Sequence, residues 1–283
     1  MTGIIIVVGW ILLLFFLEGR FPLRKRKRNR FSRLAVNITV SITAFTVAFL
    51  LIRPTTGFFL NWTASTPFGL IPWLKLTGPW EALSGILLLD LSFFYWHIAN
   101  HKLLFLWRFH NVHHIDPDLD VSTGIRFHPG EVALSTLFRA IQMALIGVSV
   151  STFVIYETLF QVGTIFHHSN LCLPLRLEKL LNLVFVTPRM HGIHHSNFRR
   201  ETDSNYSVVF SVWDRLHRTI GLGISQKEID IGVPGYARQK DNTLKQVMIL
   251  PFIQQRKYWS DKWGYKKLSR GEEKRRKVQW LSE

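Results

Sequence analysis

Eleven of the chain's 12 histidines fall between His97 and His195, and eight of these form three tight groups: His97-x3-His101, His110-x2-His113-His114 and His191-x2-His194-His195. Residues three or four apart share one face of a helix, so each group can aim two or three imidazoles at one point. Imidazole is a common ligand for iron, zinc and copper, because one ring nitrogen binds while the other is oriented by a hydrogen bond. A single histidine in such a place reads as a hydrogen-bonded core or interfacial residue. Eight in three tight groups, two of them sharing HxxHH spacing, read as metal ligands, since polar rings gathered near a membrane are costly with nothing to bind. They exceed the four positions of a tetrahedral zinc, which implies two metals.

The elements that must position these groups are apolar. The 283 residues are 47% hydrophobic and 19% charged, with 35 Lys+Arg against 19 Asp+Glu. That hydrophobicity argues against disorder, and Cys172 as the only cysteine excludes a disulfide scaffold. Residues 1–17 carry no charge and lack both the basic start and the small-residue site of a cleaved signal peptide, so they read as a membrane anchor. Eight basic residues follow without an acidic one: Arg20, Arg24, Lys25, Arg26, Lys27, Arg28, Arg30 and Arg33. Flanked by apolar segments, they are expected to lie in the cytoplasm against anionic lipid rather than on nucleic acid, with the N-terminus outside.

Further spans are expected at about 34–52 and 82–100, with a hairpin of two more at about 132–149 and 150–168; the first covers about 3–19. The proline-bearing stretch 53–80 reads as an outer loop. The expected fold is all-α: an integral-membrane four-helix bundle (1–168, with a cytosolic loop 101–130) and a cytosolic, histidine-rich helical cap with a basic tail (169–283). This topology, derived without the histidines, places all three groups on the cytoplasmic side. Asp90, inside an apolar span and on the stripe of His97 and His101, is expected to hydrogen-bond a ligand imidazole. Glu157 is expected either in such a role or paired with Arg139 across the hairpin.

The chain resembles the fatty acid hydroxylase/sterol desaturase superfamily of membrane-bound, histidine-rich di-iron oxygenases over roughly Asp90 to Thr219. The resemblance rests on the three groups in context: Asp90-Leu-Ser-Phe-Phe-Tyr-Trp-His97-x3-His101, Leu106-Trp107-Arg108-Phe109-His110-x2-His113-His114 and Thr187-Pro188-Arg189-Met190-His191-x2-His194-His195-Ser196. Arg126-Phe127-His128-Pro129, His168-Ser169-Asn170 and Thr202-Asp203-Ser204-Asn205-Tyr206 support it. It implies two iron ions held by His97, His101, His110, His113, His114, His191, His194 and His195, with His168 as a ninth ligand. His128 matches an additional histidine of many members, either a ligand or a neighbour of one, and His167 and His217 are expected to be structural. Asn205 and Tyr206 would either bond ligand imidazoles or form a turn with a packed ring. Two departures separate the chain from many relatives: Ile98 stands where arginine is usual, and Gly163 where relatives that hydroxylate fatty acids carry a further histidine.

The implied activity is O2-dependent hydroxylation or desaturation of an apolar lipid drawn from the bilayer. Its electrons would come from an external donor of ferredoxin or cytochrome type, since no nucleotide-binding glycine motif or CxxC is present. A transition-metal transporter would need polar ligands deep within several spans, whereas these histidines gather at one face. A membrane zinc hydrolase would need the glutamate base of HExxH, which is missing.

Overall fold

The computed structural model describes residues 2–66 and 68–256. The basic tail expected from Arg256 to Lys277 therefore lies, Arg256 apart, outside the described residues. Those residues are helical, with no strand among them and three isolated β-bridges: Pro22 with Leu171, Phe185 with Phe210, and Ser196 with Ile231. The helices are α1 (Thr2–Arg20), α2 (Arg30–Val47), α3 (Arg53–Ser65), α4 (Leu70–Trp73), α5 (Gly78–Lys102), α6 (Leu104–His114), α7 (Pro129–Ile146) and α8 (Val150–His168). They continue as α9 (Leu175–Asn182), α10 (Pro188–His194), α11 (Arg199–Thr202), α12 (Val212–Leu216) and α13 (Leu244–Ile249).

Among the described residues, three stretches are long and apolar enough to cross a membrane: Thr2–Arg20, Arg30–Leu51 and Gly78–Lys102. Ile4, Ile5, Leu12 and Phe16 of α1 face outward, and only Leu14 and Glu18 are buried, as suits a helix solvated by lipid. α7 and α8 carry Arg139 and Glu157, which pair across the hairpin while the guanidinium lies over the rings of Phe93 and Phe160. α1 packs on α8, α2 on α7, and α5 on both α7 and α8.

Local chemistry sets the helix ends. Gly147, at φ 72°, ends α7 in the left-handed conformation, and a Cβ there would collide with the carbonyl oxygen of Phe68. Ser149 caps α8 by accepting from the Thr152 amide. The expected outer loop 53–80 is largely helical instead. A π-helical turn at Ala48–Ile52 passes the chain without a break into α3, which carries Pro54 in its first turn.

The basic run also differs from expectation, because much of its charge points into the protein. Arg33 grips Asp116 through Nε and Nη2 at 2.8 Å each and Asp120 through Nη1 at 2.7 Å, with all three residues buried. Asp118 accepts the amides of Lys27 and Arg28 at 2.7 and 2.9 Å. Glu18 accepts from Arg30 at 2.9 Å and from the Val121 and Asn170 amides at 3.0 Å each. The segment after α6 is thereby clamped to the first two helices.

Burial opposes the Asp116 charge, but Arg33 and Arg126 outweigh it and hold the carboxyl at about 2. A carboxyl lowered in the fold contributes stability above its ordinary value near 3.8, and the contribution is lost as pH falls through about 2. Arg33→Ala leaves buried carboxylates without their cation, and a loss of about 3–5 kcal/mol is expected at neutral pH. Thermal unfolding in detergent at pH 7 checks this, and a midpoint equal to the parent's contradicts it.

Candidate metal centre

Burial and short-range hydrogen bonds decide which nitrogen each imidazole presents. His97 ends a long stripe of α5, and its Nδ1 lies 2.7 Å from the Tyr206 carbonyl. His194 Nδ1 lies 2.7 Å from the Ser204 carbonyl, and His168 Nδ1 2.7 Å from the Thr164 carbonyl one turn back in α8. His110 Nδ1 lies 2.7 Å from Oε1 of Glu131, in the first turn of α7. A carbonyl oxygen can only accept, so Nδ1 carries the proton in each carbonyl-bound ring; a carboxylate acceptor fixes the same tautomer in His110. Nε2 is left as a bare lone pair in all four.

These lone pairs converge. His97, His101, His110, His114 and His194 form one group, and His113, His168, His191 and His195 a second, each with its candidate donor atoms within 4.8 Å of one another. In the second group His168 Nε2 stands 2.9 Å from His113 Nε2, 3.0 Å from His191 Nε2 and 3.3 Å from His195 Nε2. In the first, His110 Nε2 stands 3.2 Å from the Nε2 atoms of both His97 and His114. The two groups adjoin, with the His114 ring stacked on His195 at 4.3 Å.

Two unprotonated nitrogens at such separations repel unless a cation lies between them. Ligands about 2.1 Å from a metal and at right angles to each other stand about 3.0 Å apart, so the spacing fits neighbouring positions around a metal ion. Nε2 of both His101 and His194 is buried without a hydrogen-bond partner, as an atom reserved for a metal should be. Burial first, and neighbouring imidazoles second, push His113, His114, His191 and His195 well below the ordinary imidazole value, and His194 is pushed by burial to about 3. All five are neutral at physiological pH and able to bind metal.

His128 is not brought to either group. Its Nδ1 accepts the Gly130 amide at 2.9 Å and caps α7, while Nε2 reaches the Met248 carbonyl at 3.1 Å, so both nitrogens are engaged elsewhere. His167 also lies outside the groups, its ring 4.0 Å from that of His191.

Asp90 touches no ligand imidazole. Its carboxylate takes the Phe210 amide at 3.1 Å and the Trp213 indole at 2.8 Å, which pins the segment following Tyr206 to α5. Asn205, at φ 55°, donates to the Met190 and Gly221 carbonyls and accepts the Gly221 amide. It therefore shapes the turn that presents the Ser204 and Tyr206 carbonyls. Tyr206 meets His97 through its backbone oxygen, while its hydroxyl points to Asp203 at 3.3 Å and its ring packs edge-on to His101.

Glu131 was missed by sequence reasoning because an acid in a first helical turn has a local explanation. Its place at the head of an otherwise apolar helix was the available signal. The backbone acceptors left no sequence signal at all.

Beside the histidines runs a cavity of about 180 Å³, walled mainly by apolar groups such as Phe93, Trp96, Phe160 and Val208, with His97, His110 and His168 at its margin. Glu131, Ser135, Arg139 and Gln161 are among its other polar lining residues.

Metal analysis of the purified protein separates the roles. His191→Ala and His194→Ala are each expected to lower bound metal sharply. His128→Ala should leave metal content at the parent level and cost about 1 kcal/mol of stability through the lost cap. A His128 variant that loses metal contradicts this arrangement.

Residues 82–219 match the fatty acid hydroxylase family. The chain is 28% identical over 155 residues to an ornithine lipid hydroxylase, OlsE, of Rhizobium tropici, covering 55% of this chain and 46% of that one. It is 26% identical over 179 residues to an alkylglycerol monooxygenase of Caenorhabditis elegans, covering 63% of this chain and 33% of the relative. A cholesterol 25-hydroxylase-like protein of Danio rerio is 28% identical over 143 residues, which cover 50% and 55% of the two chains. The matches thus span from a third to just over half of these relatives' lengths. No solved structure matches. Residues 82–219, the part of the chain that resembles the fatty acid hydroxylase family, hold every histidine of both groups.

Proposed function

We propose that the protein is a membrane-bound, non-haem di-iron oxygenase that hydroxylates or desaturates a C–H bond of an apolar lipid. The observation that carries this reading is the pair of adjoining imidazole groups, with their bare nitrogens gathered at the margin of an apolar cavity. His97, His101, His110, His114 and His194 would hold one iron, and His113, His168, His191 and His195 the other. Iron in such a ligand set supplies reductive activation of O2 and oxidation of an unactivated C–H bond.

The chain's own residues do the rest. Tyr206, Ser204, Thr164 and Glu131 fix the rings that hold the metals. Phe93, Trp96, Phe160 and Val208 receive the hydrocarbon and exclude water. Three relatives are named for acting on ornithine lipids, alkylglycerols and cholesterol, which supports a lipid substrate here. Electrons would reach the site from a ferredoxin- or cytochrome-type donor docking on basic cytoplasmic surface. Residues 1–168 would form the membrane bundle, with the N-terminus outside and the histidines at the cytoplasmic face, and residues 169–283 would cover the metals from that side.

Comparison of membrane lipids from cells carrying the parent protein with those carrying His194→Ala tests the reading. A lipid with an added oxygen or double bond is expected only with the parent, and only under O2. Identical lipid profiles overturn the proposal. Ala48→Phe narrows the cavity away from every histidine and should lower turnover roughly tenfold or more while bound metal stays at the parent level. Product analysis and metal content measured on the same preparation check this.

A further inference from the structure

α9 is built inside out for a water-solvated helix. Two of its polar residues, Glu178 and Asn182, are each only 3% exposed and turned into the protein, where Glu178 binds Arg189 at 2.8 Å and Asn182 serves Arg215 at 2.9 Å, while Arg176 is exposed and Lys179 half-buried. Its apolar stripe faces away: Leu180 is 64% exposed, and Leu183 just beyond the helix 62%. An amphipathic helix in water turns that stripe inward, so the medium outside α9 must itself be apolar.

Depth along α5 identifies the medium. The stretch after α9 pairs antiparallel with residues 209–211: the Val186 amide donates to the Val209 carbonyl at 3.0 Å, and the Ser211 amide to the Val184 carbonyl at 2.9 Å. That pair is fastened to α5 at Asp90 through the Phe210 amide and the Trp213 indole, and α12 is fastened again at Tyr95, whose hydroxyl lies 2.7 Å from His217 Nε2. Asp90 is midway along the α5 span and, at 1.5 Å per residue, about 10 Å deeper in it than His97. Non-helical backbone at such a depth must satisfy its polar groups internally, and these bonds do so. Leu216 on α12, 66% exposed, continues the apolar surface, and the exposed Arg176 and Arg218 lie at its borders.

We infer that residues 175–186 and 208–217 are set into the membrane leaflet beside the histidine groups. In this arrangement Leu180, Leu183 and Leu216 contact acyl chains, and Arg176 and Arg218 reach lipid phosphates. Much of what the sequence presents as a water-solvated cap is then a monotopic element, and its Val208 forms one wall of the cavity from within the lipid layer. The inference rests on α5 as a membrane span and not on the reaction proposed above.

The full chain reconstituted in phospholipid vesicles tests it. In a Cys172→Ser background, Leu180→Cys and Leu216→Cys are compared with Leu83→Cys on α5 and with Lys240→Cys, at an exposed position of a polar turn. A charged, membrane-impermeant thiol reagent is applied with the histidine face outward. Leu180→Cys and Leu216→Cys are expected to react about tenfold or more slowly than Lys240→Cys, as Leu83→Cys does, and to equal it once SDS is added. Reaction at the Lys240→Cys rate in vesicles overturns the inference. The unsubstituted protein gives a second reading, in vesicles containing a phospholipid with a diazirine in its acyl chain. Illumination should leave adducts on peptides covering residues 175–185 as well as on α1; adducts on α1 alone overturn the inference.

Discussion

The structure turns on one electrostatic constraint: nine imidazoles packed into two groups, with the bare Nε2 atoms of His97, His110, His168 and His194 held toward their neighbours. Burial removes protonation as a remedy, since it holds the rings of α10 and the end of α6 in the neutral form. Hydrogen bonds at the far nitrogen remove rotation as a remedy for His97, His110, His168 and His194. A cation relieves the repulsion where both nitrogens are bare, as between His97 and His110, so the fold favours metal through what it forbids these ligands to do. The energetic tension of the site resides in the protein before any chemistry begins.

That tension has to be contained, and the containing structure is polar where a soluble enzyme's would be apolar. Arg33 and the aspartates at 116, 118 and 120 lock the connection between α6 and α7, so His110, His113 and His114 approach from a fixed direction. Asp90 does the same on the opposite flank, holding the turn whose carbonyls orient His97 and His194. Each clamp joins a membrane helix to an irregular segment. Each uses a charge with several partners, the arrangement in which a buried ion is stable.

The histidine spacings and the family resemblance were legible in the sequence because both depend on residues close together in the chain. The long apolar helices were legible for the same reason. What joined them was not. Asp90 sits on the stripe of His97 and His101, and position alone suggested a bond to an imidazole, whereas the amide and indole it holds lie 120 and 123 residues away. The arginines of the basic run looked like a lipid-facing patch, since nothing local distinguishes an arginine that meets phosphate from one that meets a distant aspartate. His128 resembled a ligand by motif, but its Nδ1 is taken by its own helix. Backbone carbonyls as imidazole partners carry no residue identity, and no reading of side chains can find them.

Glu18 bears on how separable the parts of this protein are. It lies fully buried at the end of α1, where it accepts two amides that belong to segments flanking the histidines, those of Val121 and Asn170. The first helix is therefore a component of the core as much as a tether. A foreign anchor of equal length would deliver the chain to the bilayer yet leave those two amides bare, so this helix is not an interchangeable part.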